Sequence, residues 1–590
     1  MCGICGEIRF NKNPPSVEKV SRMAEKLVPR GPDSGGIYSQ GRIAFGHRRL
    51  KIIDLSEHAQ QPMQDPELGL TLVFNGCIYN YQELRNELIS LGYRFFSTGD
   101  SEVILKAYHA WGTDCVQRFN GMFAFAIHHR DTGETVLARD RFGIKPLYYT
   151  QNTDFLRFAS SLPALLAGGD VDTSIDKIAL HHYMQWHAVV PPPHTILNGA
   201  KKLPPATIRT IDKNGQFQDF NYWSLKMGGK KGDESFSEQD WEELLLQTLK
   251  SSVARRSIAD VPVGVLLSGG LDSSLIVGLL AEQGQTGLST FSVGFEAAGG
   301  EKGDEFMYSD IIANHYQTNH FQIKVPSSKL LETLPETFTA MSEPMVSYDN
   351  VGFYLLSKEV SKHLKVVQSG QGADEVFGGY HWYPPLANSQ NPVADYRNHF
   401  FDRTEAELRN ILQANFYEQD YSQAFVEQHF SQIHSASAID KALHLDTNVM
   451  LVDDPVKRVD NMTMAWGLEA RVPFLDHEVV ELAARIPAHL KVQQGGKHIL
   501  KNVARKIIPS QVIDRPKGYF PVPALKYIEG PYLEFVREFL DSDKARSRGI
   551  FKRDYIDQLM AAPREHITPL RGSKLWQIAL LEMWLQAQGI

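Results

Sequence analysis

The stretch Val263-Gly264-Val265-Leu266-Leu267-Ser268-Gly269-Gly270-Leu271-Asp272-Ser273-Ser274 is a short apolar run that breaks on a glycine pair and resumes with residues able to start a helix. Strand, glycine turn and helix start in that order open a βα unit. Such a turn presents backbone N–H groups and the positive end of a helix to an anion, and its serines add donors. An ordinary βα loop is the plain alternative, but the complete Ser-Gly-Gly-x-Asp-Ser string directly after an apolar strand speaks for a phosphate cradle. It is not a Walker loop, because no Gly-x4-Gly-Lys-Ser/Thr occurs and no lysine is placed to follow a γ-phosphate.

Working outward, a helix is expected at about 238–257 before the strand Val261 to Leu267, and another from Asp272. Strand-like runs recur at Ser289 to Phe295, His320 to Val325 and Val366 to Ser369, separated by helix-length segments. That alternation predicts an α/β doubly wound parallel sheet. The last part reads as helical, and Trp576, Leu580, Met583 and Trp584 form an apolar stripe expected to face a core. Upstream the punctuation is dense, with Pro191-Pro192-Pro193, Pro204-Pro205 and the polar run from Gly228 to Ser235. A linker is placed at 211–236, between a first domain at 2–210 and a second at 237–590. The first domain reads as α+β, with runs at Ile43 to Phe45, Leu70 to Phe74, Met122 to Ile127 and Thr135 to Ala138 around helices at Tyr81 to Leu91 and Ser101 to Trp111.

A chain of 590 residues, 43% hydrophobic and 22% charged, can bury more than one core. Its net charge of −8 comes without a long run of Lys or Arg, which argues against a nucleic-acid partner and for small-molecule substrates. No apolar stretch is long enough to be a membrane-span candidate, and the start lacks the pattern of a signal peptide, so a cytoplasmic location is expected. Cys2, Cys5, Cys77 and Cys115 are the only cysteines and lack the paired spacing of a zinc site.

Loss of Met1 would leave Cys2 with a thiol and an α-amine on one residue, so that the neutral amine can accept the thiol proton. A small residue in a first strand is the alternative on position alone. The surroundings favour the first reading: Cys2-Gly3-Ile4, Arg30-Gly31-Pro32-Asp33, His47-Arg48-Arg49-Leu50, Asn75-Gly76-Cys77-Ile78-Tyr79-Asn80 and Gly99-Asp100-Ser101-Glu102 occur in order. This series resembles the glutaminase domain of class II (amino-terminal-nucleophile) amidotransferases, asparagine synthetases above all. The resemblance implies Cys2 as nucleophile, Arg49 on the glutamine α-carboxylate, Asp100 on its α-amine, and the Asn75 amide with the Gly76 N–H as oxyanion hole. Guanidinium suits carboxylate and neutral donors suit a developing oxyanion. Cys77 stands where these enzymes usually place Glu, and free Cys is most often a small buried hydrophobe.

The 268–274 loop is similar to the pyrophosphate-binding loop of enzymes that cleave ATP between the α and β phosphates. The resemblance implies adenylation of a carboxylate, ATP contacts from Ser268, Gly269, Gly270, Asp272 and Ser273, and Mg2+ held by Asp272 and Asp374. The strings Ser369-Gly370-Gln371-Gly372-Ala373-Asp374-Glu375, Glu469-Ala470-Arg471-Val472-Pro473-Phe474-Leu475-Asp476 and Gly496-Lys497-His498-Ile499-Leu500 look like the synthetase domain of asparagine synthetases. By that match Ser369 and Gly370 also face phosphate, Lys497 stabilises charge at the α-phosphate, and the backbone of Leu266, Val293 and Gly294 frames the adenine. Taken alone, Lys497 would pass for a solvated surface lysine.

Two departures point to an altered acceptor: Gln371 replaces the usual Glu, and Ser347 replaces the Asp that commonly follows Glu-Pro. The whole chain resembles most closely the branch that amidates N-acetylglutaminylglutamine. Gly6 to Phe10, Asn75 to Asn80, Gly379-Tyr380-His381-Trp382-Tyr383-Pro384 and Arg515 to Pro523 carry that likeness. Aspartate, giving asparagine, is the alternative acceptor, and a silent binding relative is disfavoured by intact Cys2, Asn75, Asp272 and Lys497. Glu343 and Tyr348 are base candidates near the adenylate. A shielded passage for ammonia between the domains is expected, and a homodimer is admitted as the assembly.

Overall fold

The computed structural model describes residues 2–296, 303–433, 437–515 and 522–590. Part of the 515–523 string, Pro516 to Pro521, lies outside these residues, as does Met1. The amino-terminal part is built on two six-stranded antiparallel sheets. One runs Lys201–Lys202, Tyr148–Gln151, Phe155–Ala159, Gly3–Arg9, Ile43–Arg49, Ser34–Gln40. The other runs Phe217–Asn221, Thr207–Ile211, Thr135–Arg139, Gly121–His129, Leu70–Ile78, Met63–Asp65. Alternation along the strands sets both faces of each sheet. Ile4, Ile8, Phe45, Val73, Ala124, Ala126 and Phe158 meet in the space between the sheets. Leu72, Phe74 and Phe125 turn outward under the helices Tyr81–Ser90 and Asp100–Trp111, while Cys5 and Ala44 turn outward under the helix Val17–Lys26. The result is four layers: helix, sheet, sheet, helix.

The second sheet system is five-stranded and parallel, in the order Asn319–Val325, Ser289–Phe295, Val263–Leu266, Val366–Gln368, Glu469–Arg471. The chain starts this sheet at its centre, winds outward through two strands, then returns to the other side of Val263–Leu266. That reversal puts a crevice at the carboxyl ends of Val263–Leu266 and Val366–Gln368, where α/β sheets bind their ligands. The helix Glu238–Arg255 begins with a capping box in which Ser237 and Asp240 satisfy each other's backbone N–H.

The expected linker changes. Phe217–Asn221 pairs along its length with Thr207–Ile211, so the first sheet reaches Asn221 and the connecting segment begins after it. All five residues of this strand are exposed, so it carries no inward face for a periodic pattern to show. The carboxy-terminal helix Lys574–Ala587 is buried from Leu575 to Leu585 on every face, more than a stripe. It packs against both domains, and Tyr183 Oη donates to Gln577 O at 2.7 Å while Gln577 Nε2 donates to Tyr183 O at 2.7 Å. Ion pairs cross the same junction in the interior: Arg30 to Asp460 at 2.8 Å, Lys145 to Asp460 at 3.0 Å, and Lys202 to Asp453 and to Glu343 at 2.5 and 3.1 Å.

Candidate active site

Cys2 precedes the central strand Gly3–Arg9 and faces a narrow pocket that Arg49, Gly76, Cys77, Asp100, Gln61 and Ser101 also line. Cys2 N donates to Asn75 Oδ1 at 3.1 Å, and the fully buried Nδ2 of Asn75 has no hydrogen-bond partner among the described residues. An orphaned donor beside a thiol is what an oxyanion hole looks like before its substrate arrives. Gly76 next to it has φ +155°, and a Cβ there would overlap Met122 O, so only glycine lets this strand pass so close to its neighbour. Burial pushes the Cys2 thiol up, opposed by the amino-terminal charge, a hydrogen bond from the Leu50 backbone and the Arg49 guanidinium. A local base is therefore needed to reach the thiolate.

Arg49 donates to the carbonyls of Ser56 (2.8 Å) and Asp54, which fixes the guanidinium at the pocket wall. Asp100 opens the helix Asp100–Trp111 and accepts from Ile78 N at 3.1 Å. Burial lifts its carboxyl to about 6 against that hydrogen bond, with the charge of Glu469 adding to the rise. Cys77 is buried, and burial pushes its thiol far up. Arg30 Nε lies 3.4 Å from Cys2 O, and its other nitrogens reach Asp460 of the second domain.

The second cavity lies in the crevice of the parallel sheet and holds about 400 Å³. Leu266, Ser268, Gly270, Asp272, Ser273, Val293, Ser369, Gly370, Asp374 and Lys497 line it, as the sequence leads one to expect. Gly269 and Gly294 do not. A Cβ at Gly269 would press on Ser309 N at 2.7 Å and one at Gly294 on Asp304 Cβ at 2.5 Å, so both serve close packing behind the wall. The loop is drawn tight by Ser273 Oγ, which accepts from Ser268 N at 3.2 Å.

Lys497 is not the solvated lysine that its sequence alone suggests. It is buried, with Nζ 2.7 Å from Asp272 Oδ2 and 2.9 Å from Asp374 Oδ1. Although burial disfavours its charge, those two carboxylates outweigh burial and raise its pKa. Gly379 leaves room for the pair, since a Cβ there would overlap Asp374 Oδ1. Mg2+ is commonly held by one or two carboxylates together with substrate phosphates and water. Asp272 and Asp374, brought within reach of one ammonium beside the phosphate loop, fit that requirement.

Both base candidates move away from this cavity. Glu343 Oε2 takes Lys202 at 3.1 Å, Tyr148 Oη at 3.3 Å and Lys457 at 3.5 Å in the domain junction. Tyr348 Oη accepts from Ser573 N, and burial raises its pKa. Neither lines the cavity. Glu375 does, and sequence reading passed over it: it accepts from Tyr380 Oη at 2.7 Å, and burial and then Asp374 hold its carboxyl above the usual range. Glu469 and Arg471, which belong to a string that resembles the synthetase domain, line the Cys2 pocket.

Residues 1–223 match the family model described as "Glutamine amidotransferase domain", and residues 244–586 match "Asparagine synthase". The chain is 32% identical to "Asparagine synthetase [glutamine-hydrolyzing] 1" of Bacillus subtilis (strain 168), over 99% of this chain and 96% of that protein. It is 29% identical to "Asparagine synthetase [glutamine-hydrolyzing] 3" of the same organism, over 95% and 93%. It is 32% identical to "Putative asparagine synthetase [glutamine-hydrolyzing]" of Mycobacterium tuberculosis (strain ATCC 25618 / H37Rv), over 96% and 93%.

Proposed function

The chain belongs to the asparagine synthase family and carries its glutamine amidotransferase domain, and from that premise we propose a division of labour between its two pockets. Glutamine hydrolysis takes place at Cys2. Its thiolate adds to the side-chain amide carbon, and the oxyanion is met by Asn75 Nδ2 and the Gly76 N–H. Ammonia leaves with a proton, and water cleaves the thioester to glutamate. In the second cavity a substrate carboxylate attacks the α-phosphorus of ATP and pyrophosphate leaves. Ammonia then attacks the acyl-adenylate carbonyl and AMP leaves. A magnesium ion bound by Asp272 and Asp374 would neutralise phosphate charge, and Lys497 supplies a fixed cation beside them. Glu375, a wall residue of the same cavity, is the candidate to take the proton that the attacking ammonia sheds. The observation that carries this reading is the orphaned Asn75 amide beside Cys2, in one chain with a phosphate loop at a switch point.

For the acceptor we propose the carboxyl terminus of N-acetylglutaminylglutamine. Gln371 on the wall of the second cavity, where a carboxylate would be expected for aspartate, supports that reading. The printed names of the relatives favour aspartate as the second reading. The test is mass spectrometry of products from glutamine, ATP and magnesium, with the dipeptide and aspartate offered in parallel and AMP followed. Dipeptide amide with AMP supports the first acceptor and asparagine with AMP the second. AMP from neither refutes both.

A further inference from the structure

The strand Glu469–Arg471 belongs to the parallel sheet of the second domain, yet two of its side chains complete the Cys2 pocket in the first. Residues two apart on a strand share a face, so Glu469 and Arg471 point together toward Cys2, Cys77 and Asp100. Both are almost fully buried. Arg471 is clamped: Nε donates to Glu469 Oε1 at 2.5 Å and Nη1 to the carbonyls of Arg256 and Ile258 at 2.9 and 2.7 Å. Its Nη2 is buried and makes no hydrogen bond among the described residues, and the guanidinium lies over the Tyr79 ring at 5.6 Å. That clamp fixes Arg471 and, through it, the carboxylate of Glu469 at the pocket wall.

Glutamine arrives as a zwitterion, and a closed pocket must meet both of its charges. Arg49 supplies the cation for the α-carboxylate. On the first domain Asp100 is the carboxylate at the wall, and position 77 offers a neutral thiol. We propose that Glu469, a residue of the second domain, is a specificity-determining ligand for the α-ammonium of glutamine, acting with Asp100 in place of the carboxylate that Cys77 does not provide. This rests on the amidotransferase reading. Glu469 keeps its charge in the interior: burial opposes it, but the amino-terminal charge, Arg471 and Lys145 hold its carboxyl at about 2. The strand also ties the two sites together, because Arg471 O accepts from the N–H of Ser369, a wall residue of the ATP cavity, at 2.8 Å. The glutamine pocket is thus complete only while the domains are docked.

The experiment uses the full chain and compares wild type, Glu469→Gln, and Glu469→Gln with Cys77→Glu. Gln keeps the shape and can still accept from Arg471. Loss of a charged partner should raise KM for glutamine roughly 10- to 100-fold with kcat little changed. KM for 4-carbamoylbutanoate, which lacks the α-amine, should stay level, and so should AMP formation driven by ammonium chloride. The added Cys77→Glu should recover most of the lost affinity. An unchanged KM for glutamine in an otherwise active protein overturns the inference alone, and so does an equal loss for both amides without rescue. A fall in kcat at unchanged KM overturns it too, since Glu469 would then be acting on the Cys2 amine. A wild type that does not hydrolyse glutamine sinks the amidotransferase reading itself.

Discussion

Replacing Asn75 with Ala is expected to slow glutamine hydrolysis by roughly 10²–10³-fold and to leave ammonia-driven synthesis intact. The side chain is fully buried, its Oδ1 accepts from Cys2 N at 3.1 Å, and its Nδ2 has no partner. An unmet buried donor costs about 1–3 kcal/mol in the resting protein. That cost is recovered only when the amide oxygen of glutamine becomes negative, so the interaction favours the transition state over the ground state. Removing the side chain forfeits about 2.7–4 kcal/mol of transition-state stabilisation. Stability should behave differently: the lost hydrogen bond, worth about 1 kcal/mol, is offset by the disappearance of the orphan. The net change in unfolding free energy is therefore expected to stay within about 2 kcal/mol of the parent. Initial rates of glutamate release at saturating glutamine, AMP release with ammonium chloride and either acceptor, and urea denaturation midpoints measure the three quantities. A kcat for glutamate release within about fivefold of wild type would refute the oxyanion role. An equal fall in ammonia-driven AMP release would refute the separation of the sites.

Asp100 must be charged to meet an ammonium, and its carboxyl sits at about 6 in the ligand-free protein. Hence kcat/KM for glutamine should fall about tenfold per pH unit below that value and level off above it, and a flat profile there would remove Asp100 from the binding role. Lys497→Met should abolish AMP formation with either nitrogen source while glutaminase activity persists, read by the same two assays. Asp446 is buried and accepts from Trp382 Nε1 at 3.1 Å, Tyr383 Oη at 2.6 Å and Tyr396 Oη at 2.6 Å. Asp446→Ala strands three donors and should lower stability by about 3 kcal/mol or more in urea denaturation. Asp460→Ala leaves Arg30 and Lys145 buried without their partner and should cost about 3–5 kcal/mol. In that variant glutamate release should outrun AMP release, whereas matched rates would show that the junction holds without Asp460.

The elements that sequence discloses here are those whose cause is local. The strands Ser289–Phe295 and Val263–Leu266 carry short apolar runs closed by turn residues, and the loop between Ser268 and Ser274 needs its glycine where φ reaches +75° at Gly269. Such features are written within a dozen residues. The strand Phe217–Asn221 had no such signature, because an edge strand exposed on both faces shows no alternation. Its pairing depends on a neighbour that supplies the register.

The site divides along the same line. Cys2, Asn75 and Asp100 are singled out by short motifs that resemble a glutaminase domain, and the fold gathers them around one pocket. What Lys497, Glu343 and Glu469 do is decided by partners far along the chain: Asp272 for Lys497, Lys202 and Tyr148 for Glu343, and the Cys2 pocket for Glu469. A lysine flanked by glycine and histidine has the same local pattern whether it is solvated or wedged between two aspartates, and only the approach of two sheet ends makes the difference. Likewise, Glu469-Ala470-Arg471 departs from the apolar run of a buried parallel strand, since two of its three buried residues are charged. What the pattern omits is that this strand is the edge of its sheet and therefore has a second domain against it. The two charges meet each other, and Arg471 also meets the carbonyls of Arg256 and Ile258, so the pair is tolerated in the interior by partners that lie 215 and 213 residues away in sequence.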